Sequence, residues 1–245
     1  MSGHSKWAQI KRQKGTADVK KGLAFTKLAN AITIAVREGG GGDPEQNFRL
    51  RLAIEKAREQ NTPKENIQRA IDRGLGKGVD AASFQEAAYE GFIGQVGLII
   101  EAITDNTQRT TSEVKNILEK NGGQMVSIGA VSYQFQKMGM IIINKSGKSF
   151  DEIFTVVVDL GCEDVEEVGD EVFVYTLPEN LNKIKEALTQ KGLIVTTAEF
   201  TRKPKIIIPI SDKSVAEKTI SIIDKLEELD DVQRVYANFE IADPS

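Results

Sequence analysis

The spacing of the apolar residues is the feature that most constrains the fold of this chain, because the spacing changes near position 78. Before that point apolar residues recur every three to four positions, as on one face of a helix. One such stripe consists of Phe25, Leu28, Ala29, Ile32 and Val36. Beyond it, short apolar runs alternate with helical stretches, and three glycines within 74–84 separate the two patterns. We therefore expect a helical segment followed by mixed α and β structure.

The first 78 residues predict three helices. The first runs from about Asp18 to Glu38 and ends at the glycine run 39–42, because glycine favours the left-handed end of a helix. The segments "DPEQ" (43–46) and "TPKE" (62–65) each place a capping residue before proline and an acid or amide three residues later, which predicts two helix starts. The second helix is apolar on two faces, so we expect it to lie between the other two. Gly74 is predicted to end the third.

The rest of the chain predicts two α+β sandwiches. Residues 137–204 follow the order strand–helix–strand–strand–helix–strand of a ferredoxin-like fold. The flanking pieces, 79–136 and 205–245, are each too short for a full layer, so we predict that they form one discontinuous domain around the inserted third. Sequential domains divided near 140 are the alternative. The predicted fold class is α+β, with an N-terminal three-helix domain (1–78) and two α+β sandwich domains, the last ferredoxin-like.

Charge is divided unevenly along the chain. Residues 1–78 hold 16 Lys and Arg against eight Asp and Glu, a net charge of +8. The remaining residues hold 16 against 28, a net charge of −12, although the totals of 32 and 36 nearly balance. Such asymmetry indicates an oriented interaction with a polyanion, since phosphates repel the acidic part.

Residues suited to catalysis are few, which argues against an enzyme. His4, the only histidine, lies between glycine and serine with no Cys or His partners for a metal and no group to orient it as a base. Cys162, the only cysteine, precedes "EDVEE", and neighbouring carboxylates raise the pKa of a thiol. We expect no catalytic residue, no metal, no cofactor and no small-molecule substrate.

Other motifs favour plain structural interpretations. The run "GGGG" (39–42) is not preceded by a strand and lacks a Gly-Lys-Ser/Thr ending, so an inter-helix turn is expected instead of a phosphate loop. "GFIGQVG" (91–97) lacks dinucleotide-loop spacing. The acidic segments "CEDVEEVGDE" (162–171) and "KLEELDD" (225–231) do not follow the calcium-loop pattern. We expect both to be solvated loops.

Clustered cations make the first 78 residues the candidate nucleic-acid interface. Lys and Arg neutralise phosphates and release counterions, and an aromatic residue can stack on a base. Trp7 either stacks in this way or anchors the N-terminal segment, and the sequence leaves both open. Arg69, Arg73 and Lys77 continue the basic pattern. The predicted contact residues are His4, Lys6, Trp7, Lys11, Arg12, Lys14, Lys20, Lys21, Arg49, Arg51 and Arg58.

The location expected from the sequence is the cytoplasm. No apolar run approaches the ~20 residues that span a bilayer, the N-terminus has no apolar centre of a secretory signal, and one cysteine suits a reducing compartment. A basic, acid-poor start leaves an organellar transit peptide as the alternative. The expected partners are DNA, or ribosomal or transfer RNA together with the ribosome, and not a membrane.

Several motifs also resemble the YebC/PmpR family, to which the mitochondrial translational activator of cytochrome oxidase subunit one is related. They are "GHSKWAQIKRQKG", "FTKLANAITIAVREGGGGDPEQNFRLRLAIEKA", "TPKENIQRAIDRG", "YEGF" and "TDNTQRTTSEVK". The resemblance implies three domains, the third inserted in the second, and a regulator of gene expression that is not an enzyme. It implies DNA-binding transcriptional regulation first. The alternative is a ribosome-associated translation factor that relieves stalling on proline-rich sequences.

Two segments depart from the family pattern. Ile93, Gly94, Gln95 and Val96 stand where the family has Gly-Pro-Gly-Gly, and Met125, Val126 and Ile128 replace small residues. A role that the family assigns to its first domain is therefore expected to apply to this chain more safely than a role assigned to loops of the second domain.

Overall fold

The structure is a computed structural model that describes residues 21–77 and 84–242. The chain divides into two compact units. Within the described residues, one unit runs through 21–77, 84–132 and 212–237, and the other through 133–211 and 238–242. The predicted fold class is confirmed by the three N-terminal helices followed by mixed α and β layers. The boundaries of the three predicted domains stay a prediction.

Three helices, together called the helical lobe, begin the first unit. They are α1 (Lys21–Glu38), α2 (Phe48–Glu59) and α3 (Lys64–Gly74). Helix α1 packs against both α2 and α3, so the prediction that the second helix lies between the others was wrong. The buried residues of α1 cover a broad arc of the helix, so α1 can contact both other helices. The buried residues of α3 lie on a narrow stripe, which faces α1. The shared core consists of Leu28, Ile32, Ala35, Val36, Leu50, Ile54, Ala57, Ile67, Ala70 and Ile71.

The start of α2 differs from the prediction. Asp43 begins a turn, not the helix, and its carbonyl oxygen accepts the N–H of Asn47 at 2.9 Å. Asn47 is the true N-cap, since its Oδ1 accepts the N–H of Leu50 at 3.0 Å. Its Nδ2 donates to the carbonyls of Ala35 (2.7 Å) and Gly41 (2.8 Å). Buried Asn47 thus joins the end of α1 to the start of α2 across the glycine turn, as an amide with both donors and acceptors can.

The ends of α3 also need correction. Pro63 is the residue before the helix, and the Thr62 side chain does not cap it; its buried Oγ1 has no hydrogen-bond partner among the described residues. Gly74 does end the helix as predicted, but for another reason. A Cβ at Gly74 would lie 2.6 Å from Cβ of Val36 and 2.8 Å from the Thr33 carbonyl oxygen, so only glycine permits this close approach of α3 to α1.

A four-stranded antiparallel sheet completes the first unit. Its strands β1 (Gln85–Ile93), β2 (Val96–Thr104), β3 (Gly123–Val126) and β9 (Val232–Ala237) lie in the order β3-β1-β2-β9. Helices α4 (Thr107–Lys120) and α7 (Lys213–Glu227) pack on each other and on this sheet, while α1 contacts β2 and β9. Central β2 is consequently buried along nearly its whole length. Strand β3 was not predicted.

The second unit contains the predicted ferredoxin-like fold. Its elements are β4 (Phe135–Asn144), α5 (Phe150–Asp159), β5 (Asp164–Val168), β6 (Glu171–Thr176), α6 (Leu181–Gln190) and β7 (Ile194–Pro204). The sheet order is β5-β6-β4-β7, with every pair antiparallel. A capping box formed by Ser149 and Glu152 starts α5. A 3-10 turn, Ser132–Gln134, comes immediately before β4.

A small parallel pair, β8 (Ile208–Ile210) and β10 (Phe239–Ile241), also belongs to the second unit. The run 233–241 divides at Asn238 into β9 and β10, which lie in different sheets. Buried Asn238 donates from Nδ2 to Gln134 Oε1 at 2.6 Å, and its carbonyl accepts the Ile208 N–H at 2.8 Å. These bonds fix β10 within the second unit.

Candidate nucleic-acid interface

Four of the eleven predicted contact residues fall within the described part of the chain. They are Lys21, Arg49, Arg51 and Arg58. The other seven lie outside the described residues, and their role stays a prediction: His4, Lys6, Trp7, Lys11, Arg12, Lys14 and Lys20. Lys21 is the first described residue of α1.

Arg51 and Arg58 lie on one side of α2. Seven residues separate them, which is about 10 Å along the helix and only ~20° around it. The Arg51 guanidinium carbon lies 5.4 Å from the centre of the Phe48 ring, and its Nη1 lies 4.0 Å from the Glu45 carboxylate. Arg58 is exposed near the helix end. The structure therefore brings these two predicted residues together on one face.

Arg49 lies on the opposite side of α2 and is already engaged. Its Nη1 donates to Glu38 Oε2 at 2.9 Å, and its Nη2 pairs with Glu86 at the start of β1. Two carboxylates surround one guanidinium, so a phosphate would have to compete with both. Within the described residues Arg49 therefore links the helical lobe to the sheet.

Two further arginines, one on each neighbouring helix, contact Phe84, the residue just before β1. Arg73 of α3 donates from Nε to Thr33 Oγ1 and from Nη2 to Asn30 Oδ1, each at 3.0 Å. Its guanidinium carbon also lies 4.9 Å from the centre of the Phe84 ring. Arg37 of α1 donates to the Phe84 carbonyl at 3.3 Å. Arg37 and Arg73 thus hold the helical lobe against the residue that precedes β1.

The first acidic segment is not the solvated loop that was expected. Its residues 164–168 form edge strand β5, and Glu166 is buried. Lys203 on β7 pairs with Asp164 and, at 2.9 Å, with Glu166, and its ammonium lies 3.8 Å from the centre of the Tyr175 ring. The buried carboxylate is stable here because a cation from another strand compensates it.

The second acidic segment also contains a buried carboxylate. Asp231 is only 6% exposed, and it accepts hydrogen bonds from Arg109 Nη2 (2.7 Å), Thr110 Oγ1 (2.7 Å) and Thr104 Oγ1 (3.0 Å). Burial alone would raise the pKa of Asp231, but these donors and the arginine charge outweigh it and lower the pKa. Arg109 also pairs with Asp105 at 2.9 Å. This network joins β2, α4 and the turn before β9.

Little in the described residues suggests catalysis. No group of three His, Cys, Asp or Glu side chains in 21–77 and 84–242 could hold a metal ion. In the same part of the chain, none of the helices is both long and apolar enough to cross a membrane. Burial, and to a lesser extent the charge of Glu163, raises the pKa of the Cys162 thiol to about 11, in the direction expected from the sequence. A thiol with this pKa is a poor nucleophile.

Comparison with known proteins identifies the family. The family model described as "TACO1/YebC protein N-terminal domain" matches residues 5–77, and that described as "TACO1/YebC second and third domain" matches residues 84–239. The chain belongs to the TACO1/YebC family. A relative in Roseiflexus castenholzii is 51% identical over 245 residues, covering 98% of this chain and 96% of the relative. A relative in Dictyoglomus thermophilum is 45% identical, covering 99% and 97%.

Both relatives bear the name "probable transcriptional regulatory protein". Among solved structures, that of the conserved hypothetical protein Aq1575 from Aquifex aeolicus matches with a TM-score of 0.84 and 41% identity. The match covers 92% of this chain and 93% of that chain. The predicted membership of the YebC family is thereby confirmed.

In this TACO1/YebC member, sequence reasoning missed Glu90 in the motif "YEGF". Glu90 is 3% exposed, and its carboxylate accepts the backbone N–H groups of Gly129 (2.9 Å), Val131 (2.5 Å) and Ser132 (3.1 Å). Burial alone would raise the pKa of Glu90, but the three backbone donors lower it. The acid in the middle of the mostly apolar run 87–93 was the available signal, because a buried carboxylate needs partners.

The two segments expected to depart from the family pattern adopt simple structures. Gly94 and Gln95 form the two-residue turn between β1 and β2, with a positive φ of 58° at Gly94. Ile128 lies in the loop that Glu90 holds, and it is 82% exposed. Because the Ile128 side chain faces solvent, it occupies no space in the core.

Proposed function

We propose that this chain is a nucleic-acid-binding regulator of gene expression that acts through its basic N-terminal segment, residues 1–78. DNA-binding regulation of transcription is the first candidate. The names of the relatives support it, because they describe transcriptional regulatory proteins. We further propose that the chain acts in the cytoplasm by binding and not by catalysis.

The division of charge carries this proposal. A net charge of +8 over residues 1–78 adjoins a net charge of −12 over the remainder. Phosphates attract the first part and, taken as a whole, repel the second, so the chain docks on nucleic acid chiefly through the first part. Arg51 and Arg58, aligned on α2, are the described predicted contacts best placed for this role, whereas Arg49 is occupied by Glu38 and Glu86.

An RNA target is the second candidate, and the distribution of cations favours it. A helix that reads the major groove of DNA presents a row of base-contacting side chains on one face. Among α1–α3, the cations instead lie on several faces, and Arg37, Arg49 and Arg73 bind other parts of the protein. Contacts made mainly to phosphates suit a structured RNA such as that of the ribosome. The finer proposal is then a translation factor that relieves stalling on proline-rich sequences.

Crosslinking in cells, followed by sequencing of the attached nucleic acid, distinguishes the candidates. Promoter DNA supports transcriptional regulation, and ribosomal or transfer RNA supports a translation factor. Recovery of neither would refute the proposal and favour a protein-binding or enzymatic role.

Charge reversal tests the basic segment directly. Replacing Lys11, Arg12 and Lys14 with Glu should abolish binding at ~0.1 M salt without a large change in melting temperature. The matched control reverses three exposed lysines of the ferredoxin-like unit, Lys148, Lys183 and Lys191. Both variants change the net charge equally, so binding that survives in the first, or is lost in both, contradicts the proposal.

A further inference from the structure

Two lysines of α7 reach the residues that follow α4, in a part of the chain that is otherwise acidic, and a third lysine, Lys120, is the last residue of α4. Lys218 and Lys225 lie seven residues apart on α7 and therefore share a face. Lys225 Nζ donates to Asn121 Oδ1 at 2.9 Å, and Lys218 Nζ lies 3.7 Å from the point that a Cβ on Gly122 would occupy. Their ammonium groups thus lie beside two consecutive residues, Asn121 and Gly122. We call Lys120, Lys218 and Lys225 the lysine corner.

The neighbouring lysines of the same two helices behave differently. Lys115 on α4 lies 3.7 Å from Glu119, and Lys213 on α7 lies 3.9 Å from Glu217. Both are ion pairs between residues four positions apart on exposed helix surfaces. In contrast, the lysine corner forms no ion pair with a carboxylate in the described residues, and all three of its side chains are exposed.

Helix geometry explains part of this arrangement but not all of it. The carbonyl groups at the end of α4 carry partial negative charge, and a cation there is favourable. One lysine suffices for that purpose, yet Lys218 and Lys225 both reach the residues just after α4, and exposed Lys120 ends that helix. A cluster of exposed ammonium groups without carboxylate partners is the kind of surface that attracts an anion of high charge density.

We infer that the lysine corner is a second contact site for nucleic-acid phosphates. The inference rests on the proposed function. It adds a site outside residues 1–78, within the same compact unit as the helical lobe. Lysine binds phosphate as a point charge with three rotatable donors and does not read base sequence. The corner therefore adds affinity and orientation, and its contribution falls with salt.

Paired variants of the full-length protein test this site. The first carries Lys218→Ala with Lys225→Ala, and the control carries Lys115→Ala with Lys213→Ala. Each removes two lysines, so the change in net charge is identical. Binding is measured between 50 and 300 mM salt to two fluorescent probes, a 20-base-pair DNA duplex and a structured RNA hairpin of similar length. Circular dichroism confirms that each variant is folded.

The corner variant should bind about three- to tenfold more weakly near 0.1 M salt, and the slope of log Kobs against log salt should fall by about 1 to 2. The control should remain within about twofold of the unmodified protein. A preference for one probe shows which nucleic acid supplies the phosphates. Equal weakening of both variants, or no weakening of either, overturns the lysine corner while the proposed function stands. Failure of the unmodified protein to bind either probe at 50 mM salt overturns both.

Discussion

Replacing Glu90 with Gln tests how the loop after β3 is held. One carboxylate oxygen of Glu90 accepts the N–H of Gly129, and the other accepts those of Val131 and Ser132. An amide has only one oxygen, so in either orientation its NH2 group faces at least one of these N–H groups. The loss of one buried hydrogen bond to a charged acceptor, and of the charge on the rest, should lower the free energy of unfolding by about 2–4 kcal/mol.

The dependence of this loss on pH identifies its cause. Since the pKa of Glu90 is lowered in the folded protein, its stabilisation is complete above the ordinary glutamate pKa of about 4.3. The stabilisation disappears as the pH falls through the lowered value. The difference in stability between the unmodified protein and the Glu90→Gln variant should therefore be largest near pH 7 and shrink on acidification below about pH 4.

Urea unfolding at several pH values measures the difference, and hydrogen exchange of the Val131 and Ser132 amides shows whether the loop itself opens more often. Glu86→Gln is the matched control on the same strand. Its carboxylate is 44% exposed and pairs with Arg49 at the surface, so the substitution should cost less than about 1 kcal/mol. A loss below about 1 kcal/mol for Glu90→Gln, or a loss that does not change with pH, would refute the reasoning.

Three further substitutions or measurements probe other parts of the structure. Gly74→Ala places a Cβ 2.6 Å from that of Val36, so thermal unfolding should show a loss of about 1–3 kcal/mol; an unchanged melting temperature would mean that α1 and α3 are not so close. Arg109→Ala removes the cation beside buried Asp231 and should cost about 1–3 kcal/mol in urea unfolding, less when Asp231→Asn is already present. Cys162 should react with a thiol reagent at pH 8 about 100-fold more slowly in the folded protein than in urea, because burial and a neighbouring carboxylate raise its pKa to about 11; equal rates would contradict the burial.

Element types were largely predictable from local pattern. The apolar stripes and glycine ends predict α1–α3, and the predicted order of 137–204 includes α5 and α6, because helix periodicity and glycine ends are properties of short segments. The expectation of a solvated loop at 162–171 was wrong, because the acidic segment "DVEEV" forms β5, the strand that the predicted ferredoxin-like order requires. The pairing of Lys203 with Glu166 stabilises a buried acid there, and Lys203 lies far along the chain.

The candidate site was predictable in composition but not in geometry. The sequence marks the first 78 residues as basic, and the seven-residue spacing of Arg51 and Arg58 places both on one side of α2. It could not show that Arg49 pairs with Glu86, because that contact depends on how the lobe packs against β1. The convergence of Lys218 and Lys225 at the end of α4 likewise depends on the packing of two helices about 100 residues apart.

The sequence by itself determined the helical and mixed segments, the ferredoxin-like order and the opposite charges of the two parts, since each follows from periodicity or from simple counts. Tertiary structure alone decided which charges remain available. Arg49, Asp231, Glu166 and Glu90 all find partners more than ten residues away. A charge in the folded protein acts through what surrounds it, and its surroundings are set by packing between distant segments.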